Sequence, residues 1–215
     1  MQKEIASIRE EYLLSSLDES EVLENPIEQF QYWFQQAIQS QISDVNAMTL
    51  CTVDENAMPN GRIVLLKGIE KNQFQFFTNY NSQKGKELLS NNHAALVFHW
   101  KELQRQVRIK GIVQKLSEQE SIDYFHSRPK ESQIGAWASH QSEKLKKREE
   151  LDKKLKEYEQ KFKGYDEIPK PEYWGGFSLE PTYIEFWQGR ASRLHDRICY
   201  KKIKNSEWEK YRLNP

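Results

Sequence analysis

The stretch RIVLLKGIEKNQFQFFTN (residues 62–79) decides the fold class of this sequence. Two runs rich in β-branched and aromatic residues flank a short polar turn, a pattern typical of antiparallel strands. Outward from it, similar runs occur in AMTLCTV (47–53), AALVFHW (94–100) and RQVRIKGIVQKL (105–116). The pattern therefore predicts a meander of antiparallel strands that forms a barrel or a sandwich.

Helical signals precede these strands. Asn25-Pro26 is typical of a helix start, because the Asn side chain can accept a backbone N–H and a proline at the first position needs no donor. Apolar residues then recur at helical spacing as far as Ile38. We therefore predict N-terminal helices over about residues 1–42.

A second helical region is predicted over about residues 117–163. Ser117 and Glu120 have the spacing of a capping box, and Pro129 ends the helix that follows. The charged stretch Gln141 to Lys163 carries apolar residues on one face and is predicted as a further helix.

The rest of the chain returns to strand-like runs, in FSLEPTYIEFWQG, RICYKK and SEWEKYRL. The pattern contains no internal repeat and no low-complexity linker. We therefore predict a single domain over residues 1–215, mainly β with flanking helices (α+β).

Composition narrows the class of function. Charged residues make up 30% of the chain and the net charge is zero, whereas nucleic-acid binding normally needs a basic excess. Cys51 and Cys199 lie in apolar runs without metal-ligand spacing, so we expect reduced thiols and no metal site. No run of about 18 apolar residues occurs, so we expect a cytoplasmic protein that does not contact a membrane. The apolar content, 37%, favours an oligomer, since a second subunit would bury additional surface.

The segment RLHDR (residues 193–197) is a candidate anion site. On a strand, Arg193, His195 and Arg197 would share one face, and two guanidiniums beside an imidazole suit an anionic ligand. A surface strand with Arg–Asp pairs explains the same spacing, and spacing alone favours that alternative.

Two further candidate anion sites lie among the strands. Arg62 and Lys67 bracket the apolar run IVLL, and their odd separation places them on opposite faces of a regular strand. They would serve two different phosphates, or a bulge would realign them. Cations at the ends of a buried strand that only extend to water explain the same pattern, and the spacing alone favours that alternative. Ser82, Gln83 and Lys84 open a short predicted helix whose free N–H groups could hold a phosphate, although an ordinary N-cap explains Ser82 equally well.

The predicted helix end near Pro129 offers another anion site. Tyr124, Arg128 and Ser132 lie four residues apart: the first two can share a helix face, and Ser132 lies just past the break at Pro129. Two hydroxyls and a guanidinium that converge there would suit a phosphate. An ordinary helix end has the same residues. The sequence contains no Gly-x-Gly-x-x-Gly fingerprint, P-loop or serine nucleophile elbow, which argues against a dinucleotide site, an NTPase and a serine hydrolase.

Taken together, these pieces resemble the pyridoxamine (pyridoxine) 5′-phosphate oxidase family. The matching stretches run in the family's order from about residue 26 onward: RIVLLK, FFTNYNSQKGKEL, RQVRIKG, YFHSRPKESQIGAW, SHQS, WGGF, EFWQG, RLHDR and the terminal RLNP. The resemblance implies an antiparallel FMN-binding split β-barrel and a homodimer that holds FMN at its interface. It also implies oxidation of pyridoxamine or pyridoxine 5′-phosphate to pyridoxal 5′-phosphate by O2, with release of H2O2 and, from the amine, of NH3.

The same resemblance implies site residues. The FMN site would comprise Arg62, Ile63, Val64, Leu65, Leu66, Lys67, Phe77, Thr78, Gln83, Lys84, Gln106, Gln141, Ser142, Trp187 and Arg197. The substrate phosphate would be held by Lys67, Tyr124, Arg128 and Ser132. Arg193 and His195 would be the catalytic residues, lying over the pyridine ring opposite the flavin.

The chain departs from the family pattern at two places. Members commonly read Ser-Arg-Lys where this chain has Gln83, which can donate a hydrogen bond but carries no charge. Paired basic residues often precede an N-terminal tyrosine that belongs to a lid, whereas here Arg9-Glu10-Glu11-Tyr12 occurs.

Two alternatives to this oxidase remain open at the level of sequence. One is another split-barrel flavoprotein, such as a flavin reductase, against which the predicted phosphate residues argue. The other is a carrier that binds FMN or pyridoxal 5′-phosphate without catalysis.

Overall fold

The computed structural model describes residues 5, 7, 11–204 and 207–215. The helices in this part of the chain are α1 (Pro26–Gln39), α2 (Gln83–Ser90), α3 (Glu118–Ser127), α4 (Lys130–Ala138) and α5 (Arg148–Lys161). The strands are β1 (Ala47–Val53), β2 (Pro59–Leu65), β3 (Gly68–Glu70), β4 (Gln73–Asn79), β5 (His93–Trp100), β6 (Arg105–Lys115), β7 (Trp174–Gln188), β8 (Asp196–Lys202) and β9 (Trp208–Arg212). None of the described helices is both long enough and apolar enough to span a membrane.

The strands pair in the order β2-β1-β5-β6-β7-β4-β3, with β8 added to β7 and β9 added to β8. The pairs β3–β4, β4–β7, β7–β8 and β8–β9 are antiparallel. The long strand β7 pairs through Trp174–Leu179 with β4 and through Tyr183–Gln188 with β8. A mainly β chain with flanking helices is therefore confirmed.

The chain divides into two compact units, and the single domain over residues 1–215 stays a prediction. The first unit comprises Met1–Leu50, Ala95–Gly111 and Pro181–Pro215. Its core is aromatic: Phe30 packs on Phe98 at 4.9 Å between ring centroids. Asn25 caps α1 as predicted, because its side chain accepts the N–H of Ile27.

The second unit comprises Cys51–Ala94 and Ile112–Glu180. Helices α3, α4 and α5 enclose a small core of Phe125, Ile134, Phe162, Ile168 and Trp174. The predicted capping box is present, with the Ser117 side chain accepting the N–H of Glu120 and the Glu120 carboxylate accepting the N–H of Ser117.

The prediction of helix over about residues 1–42 is wrong for residues 11–25, where the structure has no helix. Two N–H groups there bond to distant side chains: Leu14 donates to Gln104 and Leu17 donates to Asp196. Those partners replace the intrahelical acceptors. Residues 1–4, 6 and 8–10, including Arg9 and Glu10, lie outside the described residues.

The charged helix begins at Arg148, whereas the sequence predicts a start at Gln141. Ser142 has φ +73°, in the left-handed region, so the backbone there turns before the helix can form. The strand predicted through RLHDR is also wrong at its start. Ser192 and Arg193 have φ of +55° and +61°, and β8 begins only at Asp196. Arg193, His195 and Arg197 therefore do not alternate along one regular strand.

Candidate functional site

The second unit contains a pocket of about 590 Å³, within the usual range for small-ligand sites. Eleven of the residues predicted for the flavin or the substrate line it. They are Ile63, Val64, Leu65, Lys67, Phe77, Thr78, Lys84, Tyr124, Arg128, Ser132 and Gln141. Asn79, Gly135, Ala136, Ser139 and Trp174 complete the lining and were not predicted.

Lys67 reaches the pocket from just beyond a strand end. Strand β2 ends at Leu65, and the N–H of Lys67 donates to the carbonyl of Gln75 at 2.9 Å. The alternation of side chains along β2 therefore does not extend to Lys67. The odd spacing of Arg62 and Lys67 therefore requires neither two different phosphates nor a bulge.

One cationic part of the pocket is built around Lys84, in the first turn of α2. Its Nζ donates to Thr78 Oγ1 at 3.1 Å, to Ser82 Oγ at 3.3 Å and to Gln141 Oε1 at 3.3 Å. Burial, with the nearby charge of Arg62, lowers the pKa of Lys84. The ammonium group thus lies near a capped helix start, where an anion is stabilised.

The backbone leaves little room around this helix start. A Cβ at Gly85 would lie 2.3 Å from the carbonyl oxygen of Tyr80. Only glycine allows the backbone at position 85 to lie this close to the Tyr80 carbonyl, so α2 can begin in contact with the turn that follows β4.

The second cationic part of the pocket is built around Arg128, at the C-terminal end of α3. Its Nη2 donates to the carbonyl of Ser132 at 2.8 Å, and its guanidinium lies 4.6 Å from the ring centroid of Trp174. Its Nη1 is buried and has no hydrogen-bond partner among the described residues. Burial lowers the pKa of Arg128. A buried donor without an acceptor is costly, so this corner suits an anionic ligand.

Arg62 and Gln83 are not part of the pocket lining. Arg62 donates to Thr52 Oγ1 and to the Glu87 carboxylate, the latter at 3.1 Å, and the Gln83 side chain also bonds to Glu87. Burial raises the pKa of Glu87, but bonds from Thr52, Asn60 and Arg62 outweigh it and lower that pKa overall. The carboxylate therefore stays charged. Leu66 is buried, and Ser142 occupies the turn beside Gln141.

The other predicted residues belong to the first unit and form a separate group there. Trp187 and Arg197 are cross-strand partners in the β7–β8 pair. Arg197 donates through Nε and Nη2 to the Glu185 carboxylate, both at 3.1 Å. Gln106 is half-buried on β6, beside the buried Val107.

Glu185 is the central acceptor of this group and was missed by the sequence prediction, although it lies in the quoted motif EFWQG. Its carboxylate, only 2% exposed, also accepts from Arg108 at 3.3 Å and from Tyr183 at 2.8 Å. Burial raises its pKa, but Arg197 and the other donors outweigh burial and lower the pKa overall. The group therefore holds a carboxylate between two guanidiniums and retains one net positive charge.

His195 lies beside Trp187, with 4.6 Å between ring centroids. The Tyr12 ring packs on both, at 5.6 Å from His195 and 5.8 Å from Trp187. The imidazole Nδ1 accepts the backbone N–H of Arg190 at 3.1 Å. Burial, and then the Arg193 guanidinium, lower the pKa of His195. Arg193 itself is exposed.

Known proteins match this chain closely. The family model described as pyridoxamine 5′-phosphate oxidase matches residues 34–162. The chain belongs to the pyridoxamine 5′-phosphate oxidase family. A second model, described as the pyridoxine 5′-phosphate oxidase C-terminal dimerisation region, matches residues 174–215.

Relatives named pyridoxine/pyridoxamine 5′-phosphate oxidase match over the full length. The protein of Trichormus variabilis is 50% identical and that of Nostoc punctiforme 51% identical, each over 100% of both chains. The protein of Cupriavidus metallidurans is 48% identical over 99% of both. The family assignment therefore holds across the whole chain.

Solved structures agree with this family. PhzG from Burkholderia lata 383, solved with tetrahydrophenazine-1-carboxylic acid, has a TM-score of 0.87 and 27% identity over 94% of this chain and 99% of its own. An FMN-binding protein related to pyridoxamine 5′-phosphate oxidase, from Nostoc punctiforme, has a TM-score of 0.72 and 17% identity, over 89% of this chain and 98% of its own. The second match bears on the fold alone. The predicted antiparallel split-barrel fold is confirmed.

Proposed function

We propose that this protein oxidises pyridoxamine 5′-phosphate and pyridoxine 5′-phosphate to pyridoxal 5′-phosphate, using FMN and O2. The products are then H2O2 and, from the amine, NH3. The observation that carries the proposal is the buried Nη1 of Arg128, which has no acceptor among the described residues and belongs to a pocket also lined by Lys67, Tyr124 and Ser132. A phosphate oxygen would supply that acceptor. Full-length similarity to oxidases of this substrate class supports the same assignment.

The pocket residues also fit FMN. A planar ring system needs an apolar wall, which Ile63, Val64 and Leu65 provide, and its phosphate needs cations, which Lys84 provides at a helix start. Thr78 and Gln141 would bond to the cofactor beside Lys84. The chemistry that FMN supplies when bound is acceptance of a hydride and delivery of two electrons to O2.

The protein's own part is binding, orientation and electrostatics. Lys67, Tyr124, Arg128 and Ser132 would hold the substrate phosphate, and Arg193 and His195 would contact the pyridine ring. Because Nδ1 accepts the backbone N–H of Arg190, the neutral imidazole of His195 can donate a hydrogen bond there through Nε2 without adding charge. Trp187 and Arg197, the latter held by Glu185, would contact FMN.

We further propose a homodimer with FMN at its interface. The match to a dimerisation region over residues 174–215 supports the dimer. Ile63 and Leu65 support a shared site, because these apolar residues line the pocket yet are 66% and 40% exposed. A second subunit would cover them.

The test is turnover by the purified protein loaded with FMN. With pyridoxamine 5′-phosphate we expect pyridoxal 5′-phosphate and H2O2 in equal amounts, and Arg128→Met should raise KM by roughly 10- to 100-fold, since it removes a charge-assisted contact. Arg148→Met is the matched control, because Arg148 is 76% exposed on α5 and pairs only with Asp152 among the described residues.

The alternatives predict other outcomes. A yellow protein that binds FMN but forms neither aldehyde nor peroxide would be a carrier. Oxidation of a nicotinamide cofactor in place of the phosphorylated pyridine would indicate a flavin reductase. Either result would refute the proposed oxidase.

A further inference from the structure

We infer that Trp174 is a positioning residue for the substrate phosphate and acts through the Arg128 guanidinium. The inference rests on the proposed function, because it assigns the substrate phosphate to Arg128. Trp174 belongs to the WGGF stretch, lies at the first residue of β7 and lines the pocket. Trp174 would determine where the Arg128 guanidinium points, and the guanidinium would donate the hydrogen bond to the phosphate.

Three contacts fix the Arg128 guanidinium. Its face lies 4.6 Å from the Trp174 ring centroid and 5.5 Å from that of Phe125, and its Nη2 donates to the Ser132 carbonyl at 2.8 Å. A guanidinium is planar, so one bonded nitrogen and one covered face determine where the other nitrogen points. The remaining nitrogen is the buried Nη1, which has no partner in the part of the chain that the structure describes.

The Trp174 ring is itself held in a parallel stack with two pocket residues. Its plane is 3° from that of Tyr124 and 15° from that of Phe77, with centroids 6.2 and 5.7 Å away. Tyr124 and Phe77 stack at 3.7 Å. Because Tyr124 is also a predicted phosphate ligand, the same indole orients both a hydroxyl and a guanidinium.

The two glycines after Trp174 make this arrangement possible. In the β4–β7 register, Gly176 lies opposite Phe77 and Gly175 opposite Thr78. A Cβ at Gly176 would lie 2.7 Å from the Phe77 ring, and one at Gly175 would lie 2.1 Å from the hydroxyl of Tyr80. Without side chains there, the aromatic rings can approach the strand, and Trp174 keeps its place in the stack.

The test compares Trp174→Leu and Trp174→Phe in the FMN-loaded protein. Leucine removes the π face while it stays apolar, so KM for pyridoxamine 5′-phosphate should rise about 3- to 30-fold. Turnover at saturation should fall by a smaller factor than KM rises, since the chemical step does not depend on the phosphate contact. Phenylalanine retains a weaker π face and should give an intermediate KM.

Trp137→Leu is the matched control. Trp137 packs against the same small core but contacts Tyr158 and Phe162, and its Nε1 donates to the Pro169 carbonyl. Its loss should lower thermal stability as much as the loss of Trp174 and leave KM unchanged. An equal rise of KM in both variants would mean that Trp174 acts only through core stability, which would overturn the inference.

Two further outcomes are decisive. An unchanged KM in a folded, FMN-loaded Trp174→Leu protein would overturn the inference. If the leucine variant fails to fold, a wild-type KM in Trp174→Phe would overturn it instead.

If the wild-type protein does not oxidise the substrate, the proposed function fails. The inference is then tested separately, by equilibrium dialysis with pyridoxal 5′-phosphate and with pyridoxal. Weaker binding of the phosphorylated compound alone, in Trp174→Leu, would support it, and an unchanged preference would overturn it.

Discussion

The imidazole of His195 accepts the backbone N–H of Arg190 through Nδ1. A nitrogen that accepts a hydrogen bond carries no proton, so the proton of the neutral ring lies on Nε2. Burial and the neighbouring Arg193 guanidinium both disfavour a second proton, which lowers the pKa of the ring. At neutral pH, His195 therefore presents an uncharged ring to its surroundings.

We predict that ¹⁵N NMR of labelled protein will show His195 as the Nε2–H tautomer with a pKa below 6.5. Because the folded pKa is lowered, the stability contributed by the neutral ring is complete above the unfolded pKa of about 6.5 and decreases as the pH falls below it. Exposed His93 provides the comparison in the same spectrum. A proton on Nδ1, or a pKa above 6.5, would contradict the structure.

Among the predicted residues, those that are close in sequence are also close in the structure. Tyr124, Arg128 and Ser132 line the same pocket. Arg128 ends α3 four residues after Tyr124, and Ser132 lies in the first turn of α4, just beyond Pro129. Glu185 was missed because Arg108 and Arg197, its partners, lie on other strands. The strip through RLHDR was wrong because positive φ at Arg193 cannot be read from residue type.

At the scale of elements, the start of α2 is the most constrained feature of the pocket. Ser82 accepts the N–H of Gly85 through its hydroxyl, and the same hydroxyl accepts from Lys84 Nζ. The helix start and the position of the cation are therefore coupled.

We predict that Gly85→Ala will destabilise the protein and weaken FMN binding, because its Cβ would meet the Tyr80 carbonyl at 2.3 Å. Backbone atoms cannot yield without moving the helix start, so a loss of roughly 1–3 kcal/mol is expected. Gly135→Ala is the control for stability: it lies within α4, no described atom lies within 4 Å of an added Cβ, and the change should be neutral or stabilising. Urea unfolding compares the two variants, and FMN titration compares Gly85→Ala with the wild-type protein. Equal stability of the two variants would refute the prediction.

Local signals also explain which elements were predictable. The caps at Asn25, Ser82 and Ser117 are short-range and were predicted, and the structure contains all three. The order of strands in the sheet depends on pairings between distant segments, such as β4 with β7, that no local pattern specifies. The absence of helix over residues 11–25 also depends on contacts between distant segments, because the N–H groups of Leu14 and Leu17 donate to Gln104 and Asp196.

At the scale of the whole molecule, exposed apolar side chains bear on assembly. Leu194 is 68% exposed and lies within residues 174–215, which match a dimerisation region. Because this region matches a dimerisation region, we expect Leu194 to contact the second subunit. Two-fold symmetry would bury it once from each subunit.

We predict that Leu194→Glu will weaken the dimer by at least about tenfold, because each interface would lose two buried leucines and bury charge instead. FMN affinity should fall with it if the cofactor lies between subunits. Leu145→Glu is the control, since Leu145 is 48% exposed but lies outside the matched region. Sedimentation velocity over a dilution series measures the effect. A wild-type protein that stays monomeric, or a Leu194→Glu dimer of unchanged affinity, would contradict the prediction.

The buried Nη1 of Arg128, which has no hydrogen-bond partner among the described residues, affects how the stability of this protein can evolve. An unsatisfied buried donor costs the empty fold roughly 1–3 kcal/mol, and this cost is borne during folding, before any ligand arrives. A ligand that accepts a hydrogen bond from this nitrogen would remove that cost when it binds. Selection for high ligand affinity and selection for high stability of the ligand-free protein therefore oppose each other at Arg128. Stabilising substitutions of Arg128 should arise only when the activity is no longer needed.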